Sequence, residues 1–383
     1  KKNENIMIND ILYKFKNLNW TLIFSVFFLS LIGLIMIFSA SNSEGMNATY
    51  SQLLKIIFGF SVMFVVAMID INNWQKYSFI LYVLGVVILL YATFYGYIGK
   101  GSRRWINFLG VNIQPSEIMK VFLILGLAKF FEERKIDTLR DYIFLLLPVI
   151  MIAIPFFIIL NQPDLGTSII LLFLGIIVFF VVGINIKLFL FFGFSILLCL
   201  PIIWNSLHQY QRERLLTFFD PYTDPLGTGY HIIQSQIAIG SGGFLGKGWL
   251  KGTQSHLDFL PEKKTDFIFS MLGEEFGFLG TLSVIGLFIL ICIIGYIISS
   301  SIEKNSFSKV VGIAIISNFF ISGAINMAMV MGLMPVVGIP LPLVSYGGSS
   351  MITYFFGFGL LLSIELSHKI HKEDNLVNLP FLR

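Results

Sequence analysis

Long apolar runs separated by short polar turns dominate this chain from residue 20 to residue 366. A helix needs about 20 apolar residues to cross the hydrocarbon core of a bilayer. The runs therefore predict about ten membrane-spanning helices, which lie near residues 20–40, 53–71, 77–97, 117–131, 142–160, 167–184, 188–205, 268–298, 310–332 and 350–366. We expect an all-α polytopic membrane protein in which residues 1–383 form a single domain.

Two stretches depart from this pattern. Residues 206–266 are the one long polar stretch, and they predict a large extracytoplasmic loop. Residues 335–350 are too apolar for an exposed loop and too rich in Pro and Gly for a helix. Because non-helical backbone at membrane depth is tolerated only where protein buries it or a wet cavity borders it, we expect a re-entrant Pro/Gly-rich segment that lines a cavity.

The distribution of Lys and Arg predicts the orientation. With the N-terminus inside and ten spans, fifteen of these residues fall in inner segments, and three fall in outer segments other than 206–266. Inner loops of membrane proteins carry the excess of positive charge. We expect residues 1–19, with an interfacial helix near Ile8 to Phe15, and the tail 367–383 to be cytoplasmic.

Composition agrees with this class. The chain is 56% hydrophobic and 13% charged, whereas a soluble domain carries about 25% charged residues. The net charge of +4 follows from the topology, so we expect no nucleic-acid partner. Cys199 and Cys292 both lie inside apolar runs, which is typical of buried hydrophobic side chains and not of a disulfide or metal pair.

Asp266 is the residue that most needs an explanation, because it lies where the polar loop re-enters the membrane. A carboxylate there is costly and is by default a candidate functional group. The alternative is an acid at a helix start beside Thr265 as N-cap. A helix N-terminus favours the charged form and burial favours the neutral form, so its protonation state stays open. Glu262 is the second candidate.

A second candidate site begins at Arg103, Arg104 and Trp105 and continues at Glu117 and Lys120. Glu117 and Lys120 are three positions apart in a helix, so they can form an ion pair. Alternatively, Lys120 joins the two arginines in a cationic rim that faces an anion, with the tryptophan at the interface. Arginine suits phosphate oxygens especially well.

Other polar groups have local explanations as well as functional ones. Asp164 follows a Pro in a tight turn and can cap the next helix. Gln234 lies on the polar side of an amphipathic helix expected over 229–239. The glycine-dense run 240–248 fits neither phosphate-binding fingerprint, and a mobile lid explains it equally well. Glu274 and Glu275 suit helix pairing or folding better than chemistry.

Four motifs, taken in order, resemble one family over almost the whole chain. They are Gly229 to Ser235, Leu260 to Glu262 with Thr265 to Phe269, Gly273 to Gly277, and Pro342 to Ser349. Together they are similar to the shape, elongation, division and sporulation (SEDS) family of multi-spanning glycosyltransferases that polymerise peptidoglycan. The runs 335–343 and 246–255 resemble its elongation-type members more than its division-type members.

The resemblance implies a bacterial inner-membrane enzyme with its active site facing outward. Its substrate would be lipid II, and its partners a class B penicillin-binding protein and other elongation-complex proteins. Asp266 occupies the position of the family's catalytic acid. The residues that we expect at the substrate are Arg103, Arg104, Trp105, Glu117, Lys120, Gln234, Glu262, Lys263, Lys264, Ser345, Gly347, Gly348 and Ser349.

The implied reaction joins an α-linked donor to a sugar 4-hydroxyl with inversion, so one carboxylate base suffices. The leaving diphosphate needs electrostatic stabilisation and not a proton. Arg103, Arg104, Lys120, Lys263 or Lys264 can supply it, and so can a divalent cation such as Mg²⁺ or Mn²⁺. The sequence shows no metal-ligand cluster, so no cofactor is assigned.

Three alternatives remain. A lipid II flippase would place its binding groups near the midplane, often between inverted repeats, and no repeat is visible. A scaffold without chemistry would not require the outer cluster of polar motifs. A division-type paralogue would catalyse the same reaction in another complex.

Overall fold

The computed structural model describes residues 12–41, 45–99, 102–108, 111–132, 144–207, 209–224, 227–257, 259–260, 262–302 and 307–377. Residues 12–16 form a short helix, α1, at the position of the expected interfacial helix. The rest of that helix, the inner basic residues at 134–140 and the last six residues of the tail lie outside the described ranges.

Seven helices in the described ranges are long and apolar enough to cross a bilayer. They are α2 (Trp20–Ser41), α3 (Asn47–Met68), α4 (Ile71–Tyr95), α7 (Leu165–Val182), α12 (Ile268–Ser300), α13 (Phe307–Val330) and α14 (Ser349–Val377). Helices α6 (Leu146–Asn161) and α8 (Ile186–Ser206) are also apolar, but their apolar stretches are shorter than those of the seven helices above. Helix α5 (Pro115–Glu132) is more charged. Each of the ten expected spans coincides with one of these helices, which confirms a helical membrane bundle.

Close helix packing builds the core of this bundle. Helix α14 packs against α3, and α12 packs against both α13 and α2. Glycines make these approaches possible: a Cβ on Gly59 of α3 would lie 2.1 Å from the Phe355 ring of α14, and one on Gly323 of α13 would lie 2.3 Å from the Phe288 ring of α12. Small residues at such crossings let helices approach closely within lipid.

Helix α12 is broken near its N-terminal end. Its 33 residues would extend roughly 50 Å as a straight helix, well beyond a hydrocarbon core of about 30 Å. Gly277 takes φ 64° and ψ −156°, which interrupts the helix. A Cβ there would lie 2.3 Å from the backbone N of Gly246, so both the conformation and the contact require glycine.

A small antiparallel sheet lies between α4 and α5, as a local addition to the expected all-α fold. Strands β1 (Tyr97–Gly99), β2 (Ser102–Phe108) and β3 (Val111–Ile113) pair in the order β1-β2-β3. Its outer strands have three residues each, too few to produce a period-two signal in the sequence. Strand β2 carries Arg103, Arg104 and Trp105.

The long polar stretch is largely folded onto the bundle. It contains α9 (Gln209–Phe219), a 3₁₀ turn (Pro221–Thr223), α10 (Thr228–Ser241) and α11 (Thr253–His256). Helix α10 confirms the amphipathic helix expected over 229–239 and packs on α12.

The glycine-rich turns after α10 also lie on α12. The backbone N–H groups of Lys247 and Gly248 donate to the carbonyls of Glu274 and Glu275, both at 3.0 Å. A Cβ on Gly242 would lie 2.0 Å from the carbonyl oxygen of Gly273. Close packing against α12 therefore explains Gly242 and Gly246.

Residues 331–348 are non-helical, and residues 341–345 within them are buried, which agrees with the expected re-entrant segment. A Cβ on Gly33 would lie 2.7 Å from both Cα and the carbonyl oxygen of Val344. Gly33 precedes the end of α2 at Ser41 by eight residues, or roughly 12 Å along a helix. The segment therefore reaches well into the depth of the bundle.

Candidate functional site

A cavity of about 500 Å³ opens at the end of the bundle where the re-entrant segment, the sheet and the start of α12 converge. Seven of the expected site residues line it: Arg104, Trp105, Glu117, Asp266, Gly347, Gly348 and Ser349. It is also lined by polar residues that were not in that set, among them Ser102, Gln114, Asp164, Thr167, Arg214, Thr265 and Tyr346.

The backbone on both sides of Asp266 is fixed by bonds from distant elements. The side-chain amide of Asn326, on α13, donates to the carbonyls of Asp266 at 2.9 Å and Ile339 at 2.7 Å. The Ser345 hydroxyl donates to the carbonyl of Thr265 at 2.6 Å. The carboxylate lies beside Gly338, where Oδ2 would be 3.5 Å from an added Cβ. This acid is therefore held at the wall of the cavity.

Asp266 is not the N-cap residue of α12. Helix α12 begins at Ile268, and its N-cap, Phe267, makes no side-chain capping bond. The expectation that Thr265 is the N-cap is wrong, because its hydroxyl donates to the Glu262 carboxylate at 2.9 Å within the preceding turn. Asp266 therefore lies directly before the start of α12, with Phe267 and not Thr265 at the N-cap position.

Asp164 connects the sheet to the start of α7. It caps that helix, accepting from the Thr167 N–H at 3.2 Å, as the sequence predicts. Its other oxygen accepts from the Gln114 amide at 2.9 Å and pairs with Nη1 of Arg104 at 3.1 Å. Nε of Arg104 is buried and has no hydrogen-bond partner among the described residues. Asp164 thus orients a guanidinium that retains donors for a ligand.

Of the three expected rim residues, only Arg104 lines the cavity. Lys120 is 2% exposed and forms the expected ion pair with Glu117 at 2.9 Å. It lies behind Glu117 and not among the residues that line the cavity, so this geometry does not favour the predicted direct contact with an anion. Arg103 is exposed and donates to the carbonyl of Phe94 at 3.4 Å. It too is absent from the lining.

Five other expected substrate contacts lie outside the lining of the cavity, and most of them stabilise its surroundings. Lys263 is buried and donates to the Ser255 carbonyl at 2.8 Å, while the Lys264 carbonyl accepts from the Tyr346 N–H at 2.8 Å. Ser345 is buried, and its hydroxyl also accepts from the Leu341 N–H at 2.8 Å. Gln234 is half-buried on α10 and Glu262 is exposed. Chain proximity to Asp266 does not place a side chain in the cavity.

The sequence analysis missed Lys55 and Tyr346. Nζ of Lys55 lies 3.7 Å from the centroid of the Tyr346 ring, and that tyrosine lines the cavity. Lys55 lies inside an apolar span, where a charged side chain is expensive and marks a functional candidate. The charge of Lys55 within that span was the sequence feature that could have identified it.

Glu274 and Glu275 have the folding role that the sequence favours. Glu274 is fully buried and accepts from Nζ of Lys247 at 2.8 Å and from the N–H groups of Gln254 and Ser255 at 2.9 and 3.2 Å. Glu275 accepts from the Ser39 hydroxyl at 2.6 Å. The pair fastens α11 and the glycine-rich turns to α12.

The described residues contain no group of three or more His, Cys, Asp or Glu side chains that could hold a metal ion. At the cavity, Asp164 pairs with Arg104 and Glu117 pairs with Lys120. We therefore assign no chemical step to a metal.

Comparison with known proteins gives consistent results. Residues 19–370 match the FtsW/RodA/SpoVE family model, described as cell cycle protein. The chain is 39% identical over 341 residues to the peptidoglycan glycosyltransferase MrdB of Escherichia coli K12, covering 88% of this chain and 90% of that protein. It is 34% identical over 349 residues to the probable peptidoglycan glycosyltransferase FtsW of Geobacter sulfurreducens, covering 88% and 92%.

Two solved structures share the fold. One, from work on the structural coordination of polymerization and crosslinking by a peptidoglycan synthase complex, has a TM-score of 0.80 and 29% identity, covering 91% of this chain and 98% of that one. The other is the rod shape determining protein RodA of Thermus thermophilus, with a TM-score of 0.69, 25% identity and coverage of 91% and 97%. With a family match across most of its length and a relative at 39% identity, this chain belongs to the FtsW/RodA/SpoVE family of cell cycle proteins.

Proposed function

We propose that this chain is a RodA-type peptidoglycan glycosyltransferase that polymerises lipid II into β-1,4 glycan strands during cell elongation. The observation that carries the proposal is the position of Asp266, held at the wall of a cavity that Arg104 and Arg214 also line. The glycosyltransferase names of its relatives support the reaction class. The higher identity to MrdB than to the Geobacter FtsW, 39% against 34%, supports the elongation type over the division type.

In the proposed mechanism Asp266 is the general base. It accepts the proton of the acceptor 4-hydroxyl while that oxygen attacks the anomeric carbon of the donor. The new C–O bond forms on the face opposite the diphosphate, and the bond to the diphosphate oxygen breaks. A single displacement inverts the α-linked donor to a β-linked product. A positioned carboxylate typically contributes about 10²–10⁴-fold to such a step.

The cavity also supports the electrostatic part of the reaction. The leaving diphosphate carries the developing negative charge, which preorganised cations stabilise. Arg104, which Asp164 orients, and Arg214, on α9, line the same space. The charge of Glu117 is offset by buried Lys120, so this acid does not repel the substrate at full strength.

We further propose that the partner is a class B penicillin-binding protein within an elongation complex. The fold shared with the peptidoglycan synthase complex supports this assignment. The chain is a multi-pass protein of the bacterial inner membrane, and the excess of inner Lys and Arg supports cytoplasmic termini and an outward-facing cavity. A flippase would instead depend on groups near the midplane.

The test is polymerisation of labelled lipid II by the purified chain with its class B partner. Asp266→Asn and Asp266→Ala should make no glycan while retaining monodispersity and partner binding. Glu262→Gln is the matched control, because this nearby acid is exposed and does not line the cavity; it should retain activity. Normal polymerisation by Asp266→Asn would remove Asp266 as the base.

A further inference from the structure

A second cationic group lies behind the wall of the cavity that Tyr346, Gly347 and Gly348 form. Nζ of Lys55, on α3, is 3.7 Å from the centroid of the Tyr346 ring. Cε of the same lysine is 3.9 Å from the position of a Cβ built on Gly348. Lys55 itself is absent from the described lining, so its effect on a ligand must pass through Tyr346 or through its charge.

Tyr346 is fixed from three directions. Its backbone N–H donates to the carbonyl of Lys264 at 2.8 Å. Its hydroxyl donates to Oγ of Ser51 at 3.3 Å, and its ring faces the Lys55 ammonium. Ser51 and Lys55 are four residues apart on α3, so they lie on one face of that helix. The ring therefore has a defined orientation before any ligand binds.

The electrostatic environment of Tyr346 favours negative charge. Burial raises the pKa of its phenol, but hydrogen bonds with Ser51 and Lys55 and the positive charges of Lys55 and Lys264 outweigh burial, so the pKa lies below its usual value. Helix α14 begins at Ser349, directly after this wall. The positive end of its dipole acts in the same direction.

We propose that Lys55, acting through Tyr346, makes the wall of Tyr346, Gly347 and Gly348 a holding surface for the diphosphate of a polyprenyl-linked substrate. The inference rests on the proposed function, in which donor and acceptor each carry a diphosphate. Arg104 and Arg214 enter the cavity from β2 and α9, whereas Lys55 approaches from α3. Two separate cationic walls match two diphosphates, and Lys55 is a positioning residue for one of them.

The direct test measures binding of undecaprenyl diphosphate to the purified chain carrying Asp266→Asn, so that turnover does not interfere. In this background, Lys55→Ala should weaken binding about tenfold, because a positive charge near the anion is lost. Lys55→Arg keeps the charge and the contact with the ring and should restore most of the affinity. Tyr346→Phe should show an intermediate loss.

Lys76→Ala is the matched control. Nζ of Lys76 lies 5.5 Å from the centroid of the Tyr77 ring on α4, so this pair repeats the chemistry away from the described lining of the cavity. It should leave binding unchanged. Undecaprenol, which has the same tail and no phosphate, should bind every variant equally. An equal loss for undecaprenol and its diphosphate would show that Lys55 only supports the fold and would overturn the inference.

Kinetics give an independent readout. In the chain with native Asp266, Lys55→Ala should raise KM for lipid II about tenfold with a smaller change in kcat, because it weakens a binding contact. Unchanged KM and unchanged binding would refute the holding surface. If Asp266→Asn is inactive and Lys55→Ala binds normally, only this inference fails. If Asp266→Asn polymerises and Lys55→Ala loses diphosphate binding, the proposed base fails and the holding surface stands.

Discussion

Gly33→Ala should impair the active site from a position deep in the bundle. A Cβ on Gly33 would lie 2.7 Å from Cα of Val344 and 2.9 Å from the carbonyl oxygen of Leu343. Ordinary contacts between carbon atoms are about 3.5–4.0 Å, so the re-entrant backbone must move by roughly 0.8 Å. These neighbours are backbone atoms and cannot rotate away as a side chain can.

The displacement should reach Asp266 through a short path. Ser345 follows Val344 in the chain and donates to the carbonyl of Thr265 at 2.6 Å. A misplacement of about 1 Å near a reacting group can cost on the order of 10²-fold in rate. We expect polymerisation to fall about 10- to 100-fold. The stability change should be smaller, because overpacking costs about 1–3 kcal/mol and replacing a helical glycine recovers up to about 1 kcal/mol.

The assay pairs lipid II polymerisation with thermal unfolding of the purified protein in detergent. Gly286→Ala is the matched control, since Gly286 is also inside a spanning helix and a Cβ there meets nothing within 4 Å. It should keep full activity. If Gly33→Ala polymerises as fast as Gly286→Ala, the re-entrant segment does not position Asp266 and the reasoning is refuted.

Two further predictions concern buried carboxylates. Glu274→Ala leaves the ammonium of Lys247 and two N–H groups without their acceptor in a buried position. It should destabilise the fold by about 3–5 kcal/mol and lower the unfolding temperature. Glu213→Ala, at an exposed acid, should not, and equal unfolding temperatures for the two variants would contradict the packing role. Arg104→Lys loses the planar guanidinium that pairs with Asp164 and should raise KM for lipid II about tenfold. Asp164→Asn should raise KM by a similar factor. The effect of the double variant on KM should be smaller than the two single effects combined. Arg103→Lys is the control on the exposed side of the strand, and an equal effect of both arginine variants would show that the ion pair does not orient the cation.

Local patterns in the sequence were sufficient for much of this architecture. The helical spans follow from apolar length, because backbone polar groups in lipid must be satisfied within the segment. The Glu117–Lys120 pair and the Asp164 cap follow from spacings of three residues within or at the start of a helix. Each of these features depends on residues that are close together in the chain, so a single sequence contains the information.

Only the tertiary structure showed which residues line the cavity. Arg103 and Arg104 are neighbours in the sequence, yet only the second lines the cavity, where it pairs with Asp164 from the start of α7. The folded position of Lys263 could not be read from its proximity to Asp266 either, since it is set by the carbonyl of Ser255 in α11.

The sequence by itself determined a helical membrane protein, its large loop, its re-entrant segment and the acid at the start of α12. Only the tertiary structure decided that Asn326 fixes the backbone of Asp266 and that Lys55 stands behind Tyr346. These partners are 60 and 291 residues apart in the chain. The length of an apolar run is a local property of the sequence. Contact between two polar side chains on separate helices depends on how those helices pack, and spacing along the chain does not predict it.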